Sequence, residues 1–516
     1  MKQRECDVAI VGGGHNGLVA AAYCARAGLD TVVLERREVL GGATLTEEVW
    51  PGYRLSVASY VCSLFDPRIV AELDLRAHGY EAYRKDPASF TPLADGRSLL
   101  LGRDDAANAR EIARFDPHDV EGFAAFEREA TRLGALLADT FDDPDPSFAR
   151  FADDVQAALR GSAAELVERH VRTPVLAATL ATDGLIGTDA GPRDPGTAYV
   201  LAHHYAGRAM DAQGAWGFVR GGMGAVAQAL ASAARAAGAE LRTQSAVARI
   251  ALRDGRAAEL QLRSGEVVRA RFVLVNADPK TLFLGLLDPG DVPDALLARA
   301  RAWRTNGVAF KLNLALREPP DFTARPGTAL QPHHRATIHV APSIDYLQAA
   351  FEDGRREGAS RAPMLECFMQ SPTDPTMVPP GKHVMSIFAQ YFPYERPDRP
   401  WEPRDREAIA DAIVATLAQY APNLPGAIEQ RQALGAPDLE ALLGLSGGQI
   451  FHGELLPEQI FERRFAVRPG IAGLYLCGSG THPGGCVSGF PGRRAAEAVL
   501  ADARKASVTV QGGSTR

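Results

Sequence analysis

The chain reads as an α/β protein in which a dinucleotide-binding domain is interrupted and completed in pieces around an α+β domain, and three observations point that way. An apolar strand, Asp7-Val8-Ala9-Ile10-Val11, runs into Gly12-x-Gly14-x-x-Gly17, and a second strand, Thr31-Val32-Val33-Leu34, ends on Glu35. From Phe218 a helix, a strand, a β-meander and a buried strand follow one another. Near the C-terminal end a third glycine-rich segment, from Gly478 to Gly492, lies between a strand and a helix.

In the first unit Gly12 permits the tight turn off the strand, Gly14 lets the backbone approach a pyrophosphate, and Gly17 lets the helix pack closely on the sheet. The phosphates then lie at the positive end of a helix from Asn16 to Arg26, with His15 over the pyrophosphate. Glu35, 23 residues after Gly12, can accept hydrogen bonds from both ribose hydroxyls of an adenosine. The next residues, Arg36-Arg37-Glu38-Val39-Leu40-Gly41-Gly42-Ala43-Thr44, favour FAD over NAD. A glycine doublet there lets backbone amides reach the pyrophosphate from its other side, and Arg36 offsets the charge; the alternative is an ordinary surface turn.

Residues 66 to 160 alternate helical patterns with breaks such as Asp142-Asp143-Pro144-Asp145-Pro146 and carry no nucleotide motif, so they read as an inserted substrate domain. Arg220-Gly221-Gly222-Met223-Gly224 opens an alanine-rich helix, and Val247, at the start of the meander, is its candidate cofactor contact. The expected division is 1–65, 215–290 and 455–506 for the FAD-binding domain, 66–214 and 291–454 for the substrate domain, and 507–516 for a flexible tail.

Composition excludes several classes. With 46% hydrophobic and 23% charged residues the chain can bury a large core, and a net charge of −7 with pI near 6.0 argues against nucleic acid as a partner. Six cysteines without CxxC spacing suggest neither a metal site nor a redox dithiol, and a reducing cytoplasm is the simplest setting. No room for a targeting peptide precedes the first strand, and no apolar run reaches the roughly 20 residues of a bilayer span, so membrane contact is at most peripheral. The oligomeric state is left open.

The C-terminal segment, Gly473-Leu474-Tyr475-Leu476-Cys477-Gly478-Ser479-Gly480-Thr481-His482-Pro483-Gly484-Gly485-Cys486-Val487-Ser488-Gly489-Phe490-Pro491-Gly492-Arg493, resembles the GxGTHPGGG…G signature of the phytoene desaturase branch of the flavin amine oxidoreductase superfamily. Taken with Gly14-His15-Asn16-Gly17, Gly221-Gly222-Met223-Gly224 and Gly447-Gly448-Gln449-Ile450-Phe451-His452, the chain from about residue 6 to 503 is most similar to the family named pyridine nucleotide-disulfide oxidoreductase domain-containing protein two. Carotenoid ketolases of the desaturase type are a more distant likeness. The resemblance implies a two-dinucleotide-binding-domain (glutathione-reductase-like) FAD fold with an interleaved α+β substrate domain.

It also implies an FAD-dependent oxidoreductase, a dehydrogenase, desaturase or oxidase. Such an enzyme takes hydride onto flavin N5 from an apolar, isoprenoid- or carotenoid-like small molecule. A flavin amine oxidase and a flavin-binding regulatory scaffold with little turnover are the alternatives. The disulfide-reductase chemistry in the family name needs a cysteine pair and a second GxGxxG, and neither is present. Oxygen, a quinone or a diffusible carrier is therefore the expected electron acceptor. Within the C-terminal loop, Gly478 and Ser479 offer amides to ribityl and pyrophosphate oxygens, and His482 orders the loop. The helix starting at Gly489, Phe490 and Pro491 points its amino end at flavin N1 and O2, a stabilisation of ~0.3–2 kcal/mol. Cys486 stands where the family pattern has glycine, either filling space or lying close to the isoalloxazine.

Three residues are the catalytic candidates. In Val308-Ala309-Phe310-Lys311-Leu312-Asn313-Leu314-Ala315-Leu316, period-2 alternation sets Lys311 and Asn313 opposite an apolar row, in a chain with 6 lysines against 50 arginines. Monoamine oxidases carry a lysine on a similar strand, where it holds a water at flavin N5, and the resemblance implies that role here; phytoene desaturases lack it. The structural alternative is a lysine snorkelling from a sheet edge. His452, after a glycine pair, and His204, ahead of Gln213-Gly214-Ala215-Trp216, are candidate proton acceptors or hydrogen-bonded structural histidines.

Overall fold

The computed structural model describes residues 3–513, with side chains from Arg4 to Lys505. Gln3–Val11 (β1), His15–Arg26 (α1) and Thr31–Leu34 (β2) open the chain. Val8, Ala9, Ile10, Val32 and Val33 are fully buried, as continuous apolar runs must be when both faces of a parallel sheet are covered. Ser89–Pro92 (β3), Ser98–Leu101 (β4), Asp119–Ala138 (α2) and Thr197–Tyr205 (α3) follow. The chain then returns through Gly224–Ala236 (α4), Glu240–Arg242 (β5), Val247–Arg253 (β6), Arg256–Leu262 (β7) and Val267–Val275 (β8). Five strands come next, Ala309–Leu316 (β9), Thr337–Val340 (β10), Met364–Phe368 (β11), His383–Gln390 (β12) and Ile428–Leu434 (β13). Leu474–Leu476 (β14) and Phe490–Gly513 (α5) close the chain.

Two seven-stranded sheets organise these elements. The first runs β6-β7-β8-β1-β2-β5 with β14 also paired to β8; the strands β14, β8, β1, β2 and β5 are parallel, and β6 and β7 form the antiparallel meander. Helices α1, α4 and α5 share one apolar core on this sheet, and the alanines of α1 and α4 allow the close approach. The second sheet runs β13-β9-β12-β11-β10-β3-β4, so it draws strands from both chain segments that flank the returning nucleotide-binding piece. The parallel pairing of β10 with β3 is the seam between them.

Two expectations change. β9 is an interior strand, hydrogen-bonded by β12 on one side and β13 on the other, so Lys311 does not snorkel from a sheet edge. Helix α5 extends to Gly513 and takes in residues 507–513, which the sequence assigns to a flexible tail; residues 514–516 lie outside the described residues.

Candidate flavin and substrate site

The glycine loops meet edge to edge. Gly41 N donates to Gly13 O at 2.8 Å, and a Cβ on Gly42 would lie 3.2 Å from Gly14 Cα, so neither loop has room for a side chain between them. A Cβ on Gly17 would fall 2.2 Å from the Gly12 carbonyl oxygen, which is why helix α1 can start so close to β1 only with glycine there. Glu35 is buried at the tip of β2, accepting from Gly13 N and Arg37 N, each at 2.8 Å. Thr44 Oγ1 donates to Gly41 O at 2.7 Å and steadies the doublet ahead of Ala43. Ser245 N donates to Glu35 O, which sets the stretch leading to Val247 beside the same strand end.

Buried polar atoms without a partner among the described residues mark the line a dinucleotide would follow. They include His15 Nε2 and Asn16 Oδ1 at the start of α1, Arg37 Nη1 beside Glu35, and His452 Nδ1. Buried donors and acceptors are rarely left unmade, and FAD offers phosphate, ribityl and ring groups to meet them, so the residues present fit that cofactor. Burial pushes the His15 pKa down to about 3, with His452 adding to the effect, so the two rings are neutral neighbours. Arg36 is engaged elsewhere. Its guanidinium donates to the carbonyls of Ala441 and Leu442 at 3.1 and 3.0 Å, capping the helix Ala436–Leu443. Arg37, for which the sequence suggests no role, holds the free donor instead.

At the other end of the cradle Asn16 Nδ2 donates to Ser479 Oγ at 3.3 Å. Gly489, at φ +84°, turns the chain into α5, and a Cβ on Gly492 would lie 2.1 Å from Asn16 O, so Phe490 and Pro491 begin a helix pressed against α1. His482 is buried and bonds through Nε2 to Thr140 O at 3.0 Å, tying the loop that follows Gly478 to the end of α2. Arg464 was not legible from spacing. It is buried and donates to four carbonyls, of Phe451, Glu454, Gln459 and Ser479, at 2.6–3.0 Å, joining the His452 segment to the cofactor loop.

A cavity of about 840 Å³ adjoins this cradle, lined by His15, Ala43 and Ser479 of the cofactor loops and by Lys311, His204 and Cys486. Lys311, 3% exposed, donates to Ser386 Oγ, which donates to Asn313 Oδ1 at 2.6 Å. Its Nζ lies 3.7 Å from the centroid of the Tyr60 ring. Burial holds its pKa well below the ordinary lysine value, so the site disfavours the ammonium form. His204 on α3 donates from Nδ1 to Asp183 O at 2.7 Å, leaving Nε2 as an acceptor 3.5 Å from Cys486 Sγ. Burial also lowers the His204 pKa and raises the Cys486 thiol to about 12, so base and thiol are both neutral. His452 sits with its carbonyl bonded to Trp303 Nε1 at 2.8 Å, beside His15 rather than beside His204.

Residues 17–500 match the model of the flavin containing amine oxidoreductases. The chain belongs to that family. It is 38% identical to pyridine nucleotide-disulfide oxidoreductase domain-containing protein 2 of Mus musculus, over 96% of this chain and 94% of that protein. It is 24% identical to the lycopene-forming phytoene desaturase of Pseudescherichia vulneris, over 94% of this chain and 96% of that one. Cyclohexylamine oxidase of Brevibacterium oxydans shares the fold at a TM-score of 0.61 and 17% identity, covering 97% of this chain and 99% of that chain. The protein is thus an FAD-dependent oxidoreductase, with an organic substrate and an electron acceptor.

For this oxidoreductase the six cysteines are all free, and among the described residues no group of side chains suits a metal ion and no helix is long and apolar enough to cross a membrane. The cavity includes Trp216, the aromatic wall the sequence suggests, and also side chains absent from the sequence-level candidates: Tyr60, Lys85, Asp183, His339 and Glu366. They come from separate segments, and no spacing rule links them before the second sheet is paired.

Proposed function

We propose that the oxidation takes place in the 840 Å³ cavity, on a substrate with a largely apolar body, and that His204 is the proton acceptor and Lys311 the residue that orders water or substrate beside the flavin. The observation that carries this reading is that one cavity reaches His15, Ala43 and Ser479 of the cofactor loops and also Lys311 and His204. FAD, when bound, supplies the two-electron acceptor. The chain supplies a fixed tautomer: with Nδ1–H given to the Asp183 carbonyl, His204 Nε2 presents its lone pair to the cavity. Ser386 and Asn313 hold the Lys311 amine in place and spare it an unmade hydrogen bond in a buried site.

Leu64, Leu101, Ile112, Phe123 and Ile450 line the cavity and suit a hydrocarbon body. His452 acts on the cofactor side with His15, as its electrostatic effect on the His15 ring supports. Oxygen, a quinone or a carrier takes the electrons, the unpaired cysteines fit a reducing compartment, and any membrane contact is peripheral. Oxidation of an amine is the second reading, favoured by the aromatic wall of Tyr60 with Phe368, centroids 4.3 Å apart, that the sequence did not disclose.

Anaerobic mixing of the FAD-loaded enzyme with terpenes, polyenes and amines tests the assignment. We expect a terpene or polyene to bleach the flavin, and His204→Gln to slow bleaching while FAD content is unchanged. Wild-type rates in both His204→Gln and Lys311→Met would remove the assignment.

A further inference from the structure

The register of the second sheet sets Lys311, Phe388, Glu366 and His339 in one row across β9, β12, β11 and β10. Alternate residues of a strand share a face, so Thr337 stands beside His339 and Phe368 beside Glu366, and all of them line the cavity. Lys85, four residues ahead of β3, enters the same space. Its backbone is fixed where the strand Ala82–Arg84 pairs with Gly217–Val219, its own N–H donating to Trp216 O at 3.2 Å, and its side chain is buried. The amine bonds to Thr337 Oγ1 rather than to a carboxylate, and lies 4.9 Å from the centroid of the Phe368 ring.

A buried amine with a hydroxyl for its partner is costly when charged, and a methionine or leucine would fill the same space without that cost. Lys85 therefore points to a task that a hydrocarbon side chain cannot perform. The cavity's arginines, Arg84, Arg103 and Arg128, are exposed guanidiniums, which stay charged and do not act as nucleophiles. A lysine amine becomes a nucleophile when burial strips its proton. Burial lowers Lys85 to about 8 against the opposing charges of Glu366 and Asp183, so its neutral fraction at pH 7 is about two orders of magnitude above that of a solvated lysine. Glu366 is itself held by His339, whose Nε2 lies 3.5 Å from Oε1. A proton donor is at hand as well: burial first, then the charge of Glu366, raises Asp183 to about 7, so its carboxyl is partly protonated in neutral solution.

Resting on the reading that this cavity takes the substrate, we infer that Lys85 captures an aldehyde with an apolar body as an imine. The amine nitrogen bonds to the carbonyl carbon and one of its protons passes to the carbonyl oxygen, giving a carbinolamine. Its C–O bond then breaks, the hydroxyl leaving as water with a proton from Asp183, and the N–H proton of the iminium returns to the Asp183 carboxylate. Aldehyde and amine become imine and water, and no oxidant or reductant is consumed. The rings set the path of the chain. Lys85 lies against Phe368, Lys311 Nζ is 3.7 Å from the Tyr60 centroid, and the two centroids are 4.3 Å apart, so a chain anchored at Lys85 runs over this pair toward Lys311. The bond to be oxidised then lies further along the chain than the anchored carbon.

The test uses the FAD-loaded full chain, decanal as the probe, and sodium cyanoborohydride, which reduces an imine to a stable secondary amine. Intact mass counts the decyl groups added, and peptide mapping locates them among the six lysines. The expected result is one decyl group on Lys85, added at pH 7 at least tenfold faster than on Lys280 or Lys382. Lys85→Arg should lose that label and keep its FAD, and Lys311→Met should retain the label. Labelling that is even over the lysines, that falls first on Lys311, or that fails altogether overturns the inference. If Lys85→Arg does not hold FAD, the map of the wild-type enzyme decides alone. A decyl group on Lys85 with wild-type bleaching in both His204→Gln and Lys311→Met would sink only the catalytic assignment; slowed bleaching in those variants with no label on Lys85 would sink only the imine.

Discussion

The cofactor cradle and the substrate cavity meet at His15, Ala43 and Ser479, yet they are specified by different parts of the chain. The cradle is backbone: glycines at 12, 14, 17, 41 and 42, main-chain donors, and one carboxylate fixed by two amides. The cavity is side chains, brought together by pairing strands that lie far apart in sequence, such as Lys311 on β9 with Phe388 on β12 and Glu366 on β11. Backbone recognition leaves little freedom to substitute without losing the cofactor. A cavity of side chains can change while the cradle stays the same, and the fold alone, shared with a structure named for cyclohexylamine oxidation, does not fix what the cavity accepts.

The sharpest break in that comparison is Gly17→Val. A side chain there meets the Gly12 carbonyl at 2.2 Å, a backbone atom that cannot rotate away, so the first turn of α1 must leave its place. FAD affinity should fall at least a thousandfold, about 4 kcal/mol, read as the flavin-to-protein ratio after gel filtration. Full occupancy would show that the cradle is softer than its packing implies.

His204→Gln breaks the other side. We expect FAD binding to hold and substrate oxidation to slow by about a hundredfold, the lower range for a general base. Its pH dependence sharpens the point. Because burial lowers the His204 pKa, the neutral base persists below the usual histidine value of about 6.5, so the rate should stay level through that pH and fall only in more acid solution. An acid limb centred at or above the ordinary histidine value would contradict the burial of this ring.

Glu35→Ala returns to the cradle. It removes the acceptor for ribose and also releases the amides of Gly13 and Arg37, so FAD should bind roughly ten- to a hundredfold more weakly, ~1.5–3 kcal/mol. An unchanged dissociation constant would mean that the two amides are all Glu35 serves. Lys311→Met should keep FAD and slow substrate oxidation or reoxidation by oxygen at least tenfold, ~1.4 kcal/mol of barrier. Stopped-flow measurement of both half-reactions checks it, and wild-type rates in both would make the Lys311–Ser386–Asn313 chain a purely structural one.

These two regions were legible to different degrees for a physical reason. The strand, glycine turn, helix and acid of residues 7 to 35 form a local unit, so spacing alone places Gly12, Gly14, Gly17 and Glu35. Period-2 alternation gave the face of Lys311 but not its neighbours, because alternation says nothing about which strands pair with it; only the register reveals β9 as interior and Glu366 in the same row. Arg36 and Arg37 show the limit at closer range, since adjacent arginines point apart, one to cap the helix Ala436–Leu443 and one to face Glu47 with a free donor. Arg464 left no periodic trace, because its four partners are carbonyls of irregular chain.

The smallest expected effect concerns Cys486, where cradle and cavity join. Its φ is +71°, a region glycine enters freely and a side chain enters at a cost of roughly 1–2 kcal/mol. Cys486→Gly removes that cost, but it also empties the space beside His204 Nε2 and adds backbone freedom to the unfolded chain, a loss of about 0.5–1 kcal/mol for the glycine and a similar amount for the half-buried sulfur. The terms nearly cancel, so the thermal stability of the FAD-loaded enzyme should move by no more than about 1 kcal/mol in either direction. The rate of substrate oxidation and its acid limb should stay as in the wild type, because burial keeps the thiol neutral and leaves His204 to the Asp183 carbonyl for its orientation. A shifted acid limb in Cys486→Gly, with stability unchanged, would show instead that the thiol exchanges a proton with His204, and would make Cys486 a part of the chemistry rather than of the packing.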